Sequence, residues 1–487
     1  MSNKRLHLLP FQFSRFDNDD YLLVNESGEY IFLNKDDFDK LIQCDLTPES
    51  PSYYDLKSRH FINTEHLPEA LEMVTAKYRT RKRFISDFTS LHMMVITLKC
   101  TNKCSYCQVS AEGDNAKGFD MPPDVARRVV DYIFKTPSPS IKIEFQGGEP
   151  TLNWETLKET VLYAEKVNQK YQKHLDFVVC TNLVKVDTQQ LMYFKEHGIH
   201  ISTSLDGPRD VHDKSRVLRS GVGTYDAFIK NLYNAFDILP RDGVNALMTT
   251  TIDNIDRLQE VIAEYVQHGF NGIFIRSLNP YGLAVMNAEN LGYSAEHFVD
   301  SFEKALDFIV QLNLNGTRFE EFYTSLLLTR ILTPFSTGFV DLQSPSGAGI
   351  SGAIYDHNGD VFPADEARML ARMGDRRFFL GNVFKDSYES IFGGNLLREM
   401  VSKSCVEIMP YCNSCVYRTY CGSDPVRNYL ETGDLIGRRP DNDFCTKNKL
   451  IFDMLFKKLK RNDPDEMDVF WSWISCLHLK EVRGEEA

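Results

Sequence analysis

The chain has 487 residues, 43% of them hydrophobic, which is enough for two or three domains with substantial cores. Its formal charge of −13 argues against general nucleic-acid binding, which wants a basic face, and favours a peptide or small-molecule substrate. No apolar run of about 18 residues reads as a membrane span, and the N-terminus, with Lys4 and Arg5 before only a short apolar patch, lacks a secretory signal, so no membrane partner and a cytoplasmic location are expected.

Residues 1–85 read as a small α+β domain. Tyr21-Leu22-Leu23-Val24 and Glu29-Tyr30-Ile31-Phe32-Leu33 flank a Gly-containing turn and predict a hairpin. Asn34 then caps a short helix whose apolar face carries Phe38, Leu41 and Ile42. A helix over Leu67 to Phe84 ends in Lys77-Tyr78-Arg79-Thr80-Arg81-Lys82-Arg83. That basic run is either a solvated linker face or a contact for an acidic peptide.

The apolar run Met93 to Leu98 leads directly into Cys100-Thr101-Asn102-Lys103-Cys104-Ser105-Tyr106-Cys107. Three thiols spaced C-x3-C-x2-C are one short of a closed structural zinc site. Bound to an iron–sulfur cube, they would leave one iron free for a small molecule. A zinc knuckle completed by a distant cysteine, or three buried thiols, are the plain alternatives. From residue 92 to 330 strands and helices alternate, with strands at 92–98, 141–145, 176–180, 199–205, 245–251 and 272–278. Helices are expected at 123–135, 155–170, 188–196, 224–237, 256–268 and 295–332. Repeated strand–helix units demand a parallel sheet with right-handed crossovers.

The cysteine loop with its aromatic Tyr106, and Gly147-Gly148-Glu149-Pro150 after the strand-like Ile141 to Phe145, resemble the signature motifs of the radical S-adenosylmethionine (radical SAM) superfamily. The resemblance implies a partial (β/α)6 TIM-like barrel over residues 86–335 with catalytic loops at the strand ends. It also implies a 4Fe-4S cluster on Cys100, Cys104 and Cys107, with SAM chelated to the open iron. Tyr106, Gly147, Gly148 and Glu149 would contact SAM, as would Asn182 in Thr181-Asn182, Ser204 in Ser202-Thr203-Ser204-Leu205-Asp206-Gly207-Pro208, and Arg216. A guanidinium can meet the methionine carboxylate with two parallel hydrogen bonds. Ordinary turn chemistry is the alternative for Asp206-Gly207-Pro208.

Residues 336–487 form the third expected domain. A hairpin with Asn358-Gly359 at its turn is followed by Cys412, Cys415, Cys421 and Cys445, four thiols that can close a site. This stretch is similar to the SPASM extension of peptide-modifying radical SAM enzymes, a cysteine-rich domain that carries auxiliary clusters. Ser346, Ala364 and Pro425 stand where that family places further cysteines, so the resemblance implies one auxiliary 4Fe-4S cluster. A zinc ribbon on the same four residues is the rival. Cys405 has no place in the scheme, Cys44, Cys180 and Cys476 read as isolated buried thiols, and Asp365 is a candidate general base, alternatively an Asp paired with Arg368 on a surface turn.

Over its length, including Leu9-Pro10-Phe11, Tyr54 to Phe61 and Pro363 to Arg368, the chain is similar to the B-type radical SAM maturase of the His-Xaa-Ser peptide-modification system. That resemblance implies an enzyme that cleaves SAM to a 5'-deoxyadenosyl radical and oxidatively modifies, by cross-linking, a ribosomally made precursor peptide. Its partners would be a flavodoxin or ferredoxin as electron donor and a second radical SAM maturase. The hairpin and helix of residues 1–85 resemble a leader-peptide recognition unit. The alternatives are formylglycine formation in a sulfatase, and a non-catalytic zinc-bound binding protein.

Overall fold

The computed structural model describes residues 6–17, 19–64 and 67–485; Lys4 and Arg5, on which the reading of the N-terminus rests, lie outside the described residues. The chain forms two compact units, each assembled from separated stretches. One comprises residues 1–86, 324–347 and 401–477, the other 87–323, 348–400 and 478–487. This cuts the chain differently from the three consecutive stretches read from the sequence.

The first unit begins with a three-stranded antiparallel sheet, β1 (Phe11–Phe16), β2 (Asp20–Asn25) and β3 (Tyr30–Leu33), in the order β1-β2-β3. The hairpin is the expected one, and β1 is an additional strand with Phe13 paired to Leu23. Helix α1 (Lys35–Gln43) starts where expected, with the Asn34 side chain accepting from the Asp37 N–H at 2.9 Å. Leu23, Leu33, Phe38, Leu41, Leu56 and Phe61 form its core, and Tyr21 stacks on Phe38 with centroids 3.9 Å apart.

The basic run lies at the end of α2 (Leu67–Arg81), and neither expectation for it describes Arg81 and Lys82. Arg81 donates to the carbonyls of Ser27 at 2.6 Å and Arg330 at 2.8 Å, and Lys82 pairs with Glu407 at 2.5 Å. These cations are structural ties inside the unit, because helix-end and turn carbonyls left without donors there need partners.

The second unit is built on one sheet. Its strands are β4 (Leu91–Thr97), β5 (Ser140–Gly147), β6 (His174–Cys180), β7 (Ile199–Ser204), β8 (Val244–Thr249), β9 (Gly272–Arg276), β10 (Glu320–Glu321), β11 (Gly352–Tyr355), β12 (Asp360–Phe362) and β13 (Gly381–Asn382). The order is β10-β9-β8-β7-β6-β5-β4-β11-β12-β13, parallel from β10 to β11 and antiparallel beyond. Five helices follow or precede strands near the expected positions: α3 (Pro123–Ile133), α4 (Trp154–Tyr171), α5 (Thr188–Glu196), α6 (Tyr225–Ile238) and α7 (Leu258–Gln267). The stretch expected as one helix over 295–332 is two, α8 (Ala295–Leu314) and a helix at Phe322–Leu332, separated by a turn at Gly316 and by β10.

The hairpin of β11 and β12 was expected to open the third domain; instead β11 pairs with β4, Ile354 opposite Met93. Every residue of β11 and β12 is buried, as strands covered on both faces must be. Along β5, Ile141, Ile143 and Phe145 are buried while the residues between them turn to the other face. That period of two decides which side chains reach the site. Among the described residues no helix is long and apolar enough to cross a membrane.

Candidate active site

At the carboxyl ends of β5 to β9 lies a cavity of about 400 Å³. Its walls follow from strand alternation: Glu144 and Gln146 from β5, Cys180 from β6, Ser202 and Ser204 from β7, Leu247 and Thr249 from β8. Cys100, Cys104 and Cys107 line the same cavity, together with Tyr106, Gly147, Gly148, Asn182, Arg216 and Asp365. Of the sequence-predicted residues of this unit, Glu149 alone is not on the wall.

The two glycines are required by the neighbouring cysteine loop. A Cβ on Gly147, whose φ is +129°, would collide with the Thr97 carbonyl, and one on Gly148 with the Lys99 carbonyl. Their absence lets the turn clamp the strand end that delivers Cys100, through Gly148 N–H to the Thr97 carbonyl and Glu149 N–H to the Lys99 carbonyl, each at 2.8 Å. A register shift between β4 and β5 at Val95/Thr97 brings Thr97 opposite Gly147.

Glu149 is 1% exposed and fully engaged inside the protein. Its carboxylate accepts from the Thr151 hydroxyl at 2.6 Å, the Thr181 hydroxyl at 2.8 Å and the Asn182 N–H at 2.8 Å. Burial raises its pKa, and those donors pull the other way. Glu149 therefore fixes the 181–183 loop, and through it Asn182, whose Nδ2 points at the Cys100 sulfur at 3.7 Å. The Asn102 N–H reaches the same sulfur at 3.4 Å.

Burial pushes the Cys100 thiol up to about 12, with Glu149 adding to the effect, and the Cys104 thiol up to about 11 despite Arg216 nearby. These thiols hold their protons until a metal displaces them. Tyr106 donates its hydroxyl to Asp206, and Arg216 Nε meets the same carboxylate oxygen at 2.9 Å. Asp206-Gly207-Pro208, for which ordinary turn chemistry was the alternative and which gave no candidate site residue, thus supplies a buried carboxylate at the centre of this cluster. Cys180 was another omission: read as isolated, it lines the cavity and donates to Glu144 at 3.4 Å.

Asp365 opens α9 (Asp365–Arg372) and accepts from Arg368 Nε at 3.1 Å. The pair foreseen for a surface turn lies instead at a helix start, with Arg368 fully enclosed and Asp365 partly exposed on the cavity wall.

In the first unit, Cys412, Cys415, Cys421 and Cys445 line a cavity of about 630 Å³ with Arg439 and Lys449. Cys412 and Cys415 bracket a single helical turn, with Cys415 N–H on the Cys412 carbonyl at 3.0 Å. Cys421 accepts from Asn448 Nδ2 at 3.8 Å, and Cys445 sits in the first turn of the helix Asp443–Arg461. Its N–H is capped by Asn442 at 3.0 Å. Here α10 is Pro425–Thr432 and α11 Asp443–Arg461. Pro425 is the first residue of α10, a position that suits proline because its missing N–H is unpaired there anyway. Cys405 is not on the cavity wall and donates to the Val401 carbonyl at 3.4 Å.

Among the described residues no three His, Cys, Asp or Glu side chains converge as they would on a single metal ion. A cubane distributes its thiolates over separate irons and does not require such convergence. Thiol identity, sulfur-directed N–H donors and a glycine cradle at the three-cysteine cavity fit a cluster, as do the four thiols beside Arg439 in the other unit.

Residues 94–265 match the family model described as Radical SAM superfamily. The cysteine-type anaerobic sulfatase-maturating enzyme of Clostridium perfringens is 22% identical over 373 residues, 74% of this chain and 94% of the relative. The structure of anSMEcpe with bound AdoMet and the Kp18Cys peptide is similar in fold, with TM-score 0.63, 19% identity and coverage of 77% of this chain and 98% of that one. Streptococcus suis SuiB bound to precursor peptide SuiA gives TM-score 0.52 at 14% identity, covering 90% of this chain and 99% of that one. The match over residues 94–265 marks a radical SAM domain in that stretch, and the findings are those of an iron–sulfur enzyme.

Proposed function

We propose that the protein is a radical SAM peptide maturase acting on a ribosomally made precursor peptide of His-Xaa-Ser type, and that it removes hydrogen oxidatively to form a cross-link. The observation that carries this reading is the single cavity shared by Cys100, Cys104, Cys107, Arg216 and Asp365. A peptide substrate is supported by the similarity in fold to anSMEcpe and SuiB, both solved with peptides.

Cys100, Cys104 and Cys107 would hold the catalytic 4Fe-4S cluster, and Cys412, Cys415, Cys421 and Cys445 one auxiliary 4Fe-4S cluster, which would accept the electron that the substrate gives up after losing a hydrogen atom and a proton. When bound, the catalytic cluster supplies the electron that splits SAM to methionine and the 5'-deoxyadenosyl radical. The chain's own work is positional. Asn182 and the Asn102 N–H direct hydrogen bonds at the Cys100 sulfur, Gly147 and Gly148 let the backbone close on the cysteine loop, and Arg216 meets the methionine carboxylate. Tyr106 and Ser204, both on the cavity wall, would contact SAM. Asp365, held by Arg368, takes the proton that leaves the substrate. Electrons would come from a flavodoxin or ferredoxin, and a second radical SAM maturase would act beside this one. The sheet and helix of residues 11–43 would receive the leader of the peptide.

A second reading, oxidation of a sulfatase cysteine or serine to formylglycine, is favoured by the similarity to the Clostridium perfringens enzyme. Anaerobic incubation of the reconstituted protein with each substrate class separates them. The proposal expects a His-Xaa-Ser precursor to lose two hydrogens by mass, with Asp365→Asn lowering that yield about 100-fold or more while SAM cleavage stays within a few-fold. An unchanged precursor alongside an oxidised sulfatase peptide would replace the proposal by the second reading.

A further inference from the structure

Asp206 is 1% exposed, at the end of β7, and three separate stretches of the second unit converge on its carboxylate. Tyr106 from the cysteine loop donates its hydroxyl to Oδ2, and Arg216 Nε donates to the same oxygen at 2.9 Å. The Thr249 N–H at the end of β8 meets Oδ1 at 3.2 Å. The Arg216 guanidinium also lies over the Tyr106 ring, 5.4 Å from its centroid. A carboxylate this far from water needs such a set of donors, and a buried guanidinium needs such a counter-charge. Asp206 itself does not line the cavity, whereas Tyr106 and Arg216 both do.

We propose that Asp206 is a positioning residue for SAM, acting through Arg216. Its carboxylate ties the aromatic residue of the cysteine loop to the guanidinium, so the cluster-bearing loop and the carboxylate-binding group form one rigid assembly. With Nε committed to Asp206, the two terminal nitrogens of Arg216 are left for the methionine carboxylate of the ligand. The inference rests on the reading that this cavity takes SAM.

The test uses the full chain, reconstituted without oxygen, with SAM affinity read by calorimetry and iron per chain measured in parallel. Asp206→Asn keeps the size and one acceptor oxygen but removes the charge. It should weaken SAM binding about tenfold with iron content unchanged, and in an Arg216→Gln background the same substitution should add less than about twofold. Wild-type SAM affinity in Asp206→Asn, or full independent losses in both backgrounds, would overturn the role. Should Asp206→Asn fail to load iron, Tyr106→Phe tests the same link: an affinity loss of about threefold that vanishes in the Arg216→Gln background supports it, and unchanged affinity contradicts it. Wild-type protein that holds iron but binds no SAM would overturn the cavity reading itself, whereas SAM binding indifferent to both variants overturns only the role of Asp206.

Discussion

The two cysteine sites are built in different ways. The three-cysteine loop takes its surroundings from five strand ends that lie between Gly147 and Arg276 in the sequence, and its polar neighbours are fixed by buried carboxylates: Glu149 holds Asn182, and Asp206 holds Tyr106 and Arg216. The four-cysteine site is made from a short turn, one loop residue and a helix start, with Arg439 and Lys449 on its wall. The difference teaches where each kind of function sits. An open site that must orient a ligand needs a rigid sheet behind it, while a closed site needs four thiols and a charge environment suited to electron transfer.

The largest effects should come from removing a ligand at each site. Cys104→Ala and Cys415→Ala should each lower iron from about eight to about four per chain, as loss of one of two 4Fe-4S clusters requires. Zinc in place of iron in the four-cysteine site would break the comparison at its second half and remove the proposed electron acceptor.

A smaller effect should follow from Gly148→Ala, whose new Cβ would meet backbone that cannot move away freely. We expect a cost of about 3 kcal/mol, the upper part of the overpacking range, with a lowered melting temperature and reduced iron uptake at the three-cysteine site alone. A normal melt with full iron would show that the glycine clamp is dispensable.

The smallest effect concerns protons in the metal-free protein. Burial pushes the Cys412 thiol up to about 11 and the Cys421 thiol up to about 12, from an ordinary value of 9.0. Their folded form keeps protons that the unfolded chain has already lost above about pH 9, so stability of the metal-free protein falls as pH rises from there toward 11. Alkylation of these thiols should be slow at pH 8 and climb by roughly tenfold per pH unit, while Cys44 and Cys476, expected from the sequence to be buried but exposed in the structure, label first. Rapid labelling of Cys412 and Cys421 at pH 8 would contradict the buried setting.

Much of this was legible in the sequence where the signal is local. Strands β4 to β9 follow from alternation, and Cys100, Cys104, Cys107, Gly147 and Gly148 from adjacency to strand ends. What escaped depends on long-range pairing. Residues 352–355 form a hairpin by local rules, and nothing in them announces that β4 is their other neighbour. Cys180 looked isolated because its distance from Cys107 in the chain hides that parallel strands bring their carboxyl ends together. Asp206 carried a strong turn signature, and a turn residue's second role appears only once its buried partners are in place.

The central claim is that three thiols, a glycine clamp and Arg216 make one SAM-cleaving site. The most direct measurement is 5'-deoxyadenosine and methionine release by the reduced, anaerobically reconstituted protein, comparing wild type with Cys104→Ala and Cys415→Ala. The account predicts cleavage by the wild type, retained cleavage in Cys415→Ala and none in Cys104→Ala. Wild-type protein loaded with iron that releases no 5'-deoxyadenosine, or cleavage that survives Cys104→Ala, would contradict it.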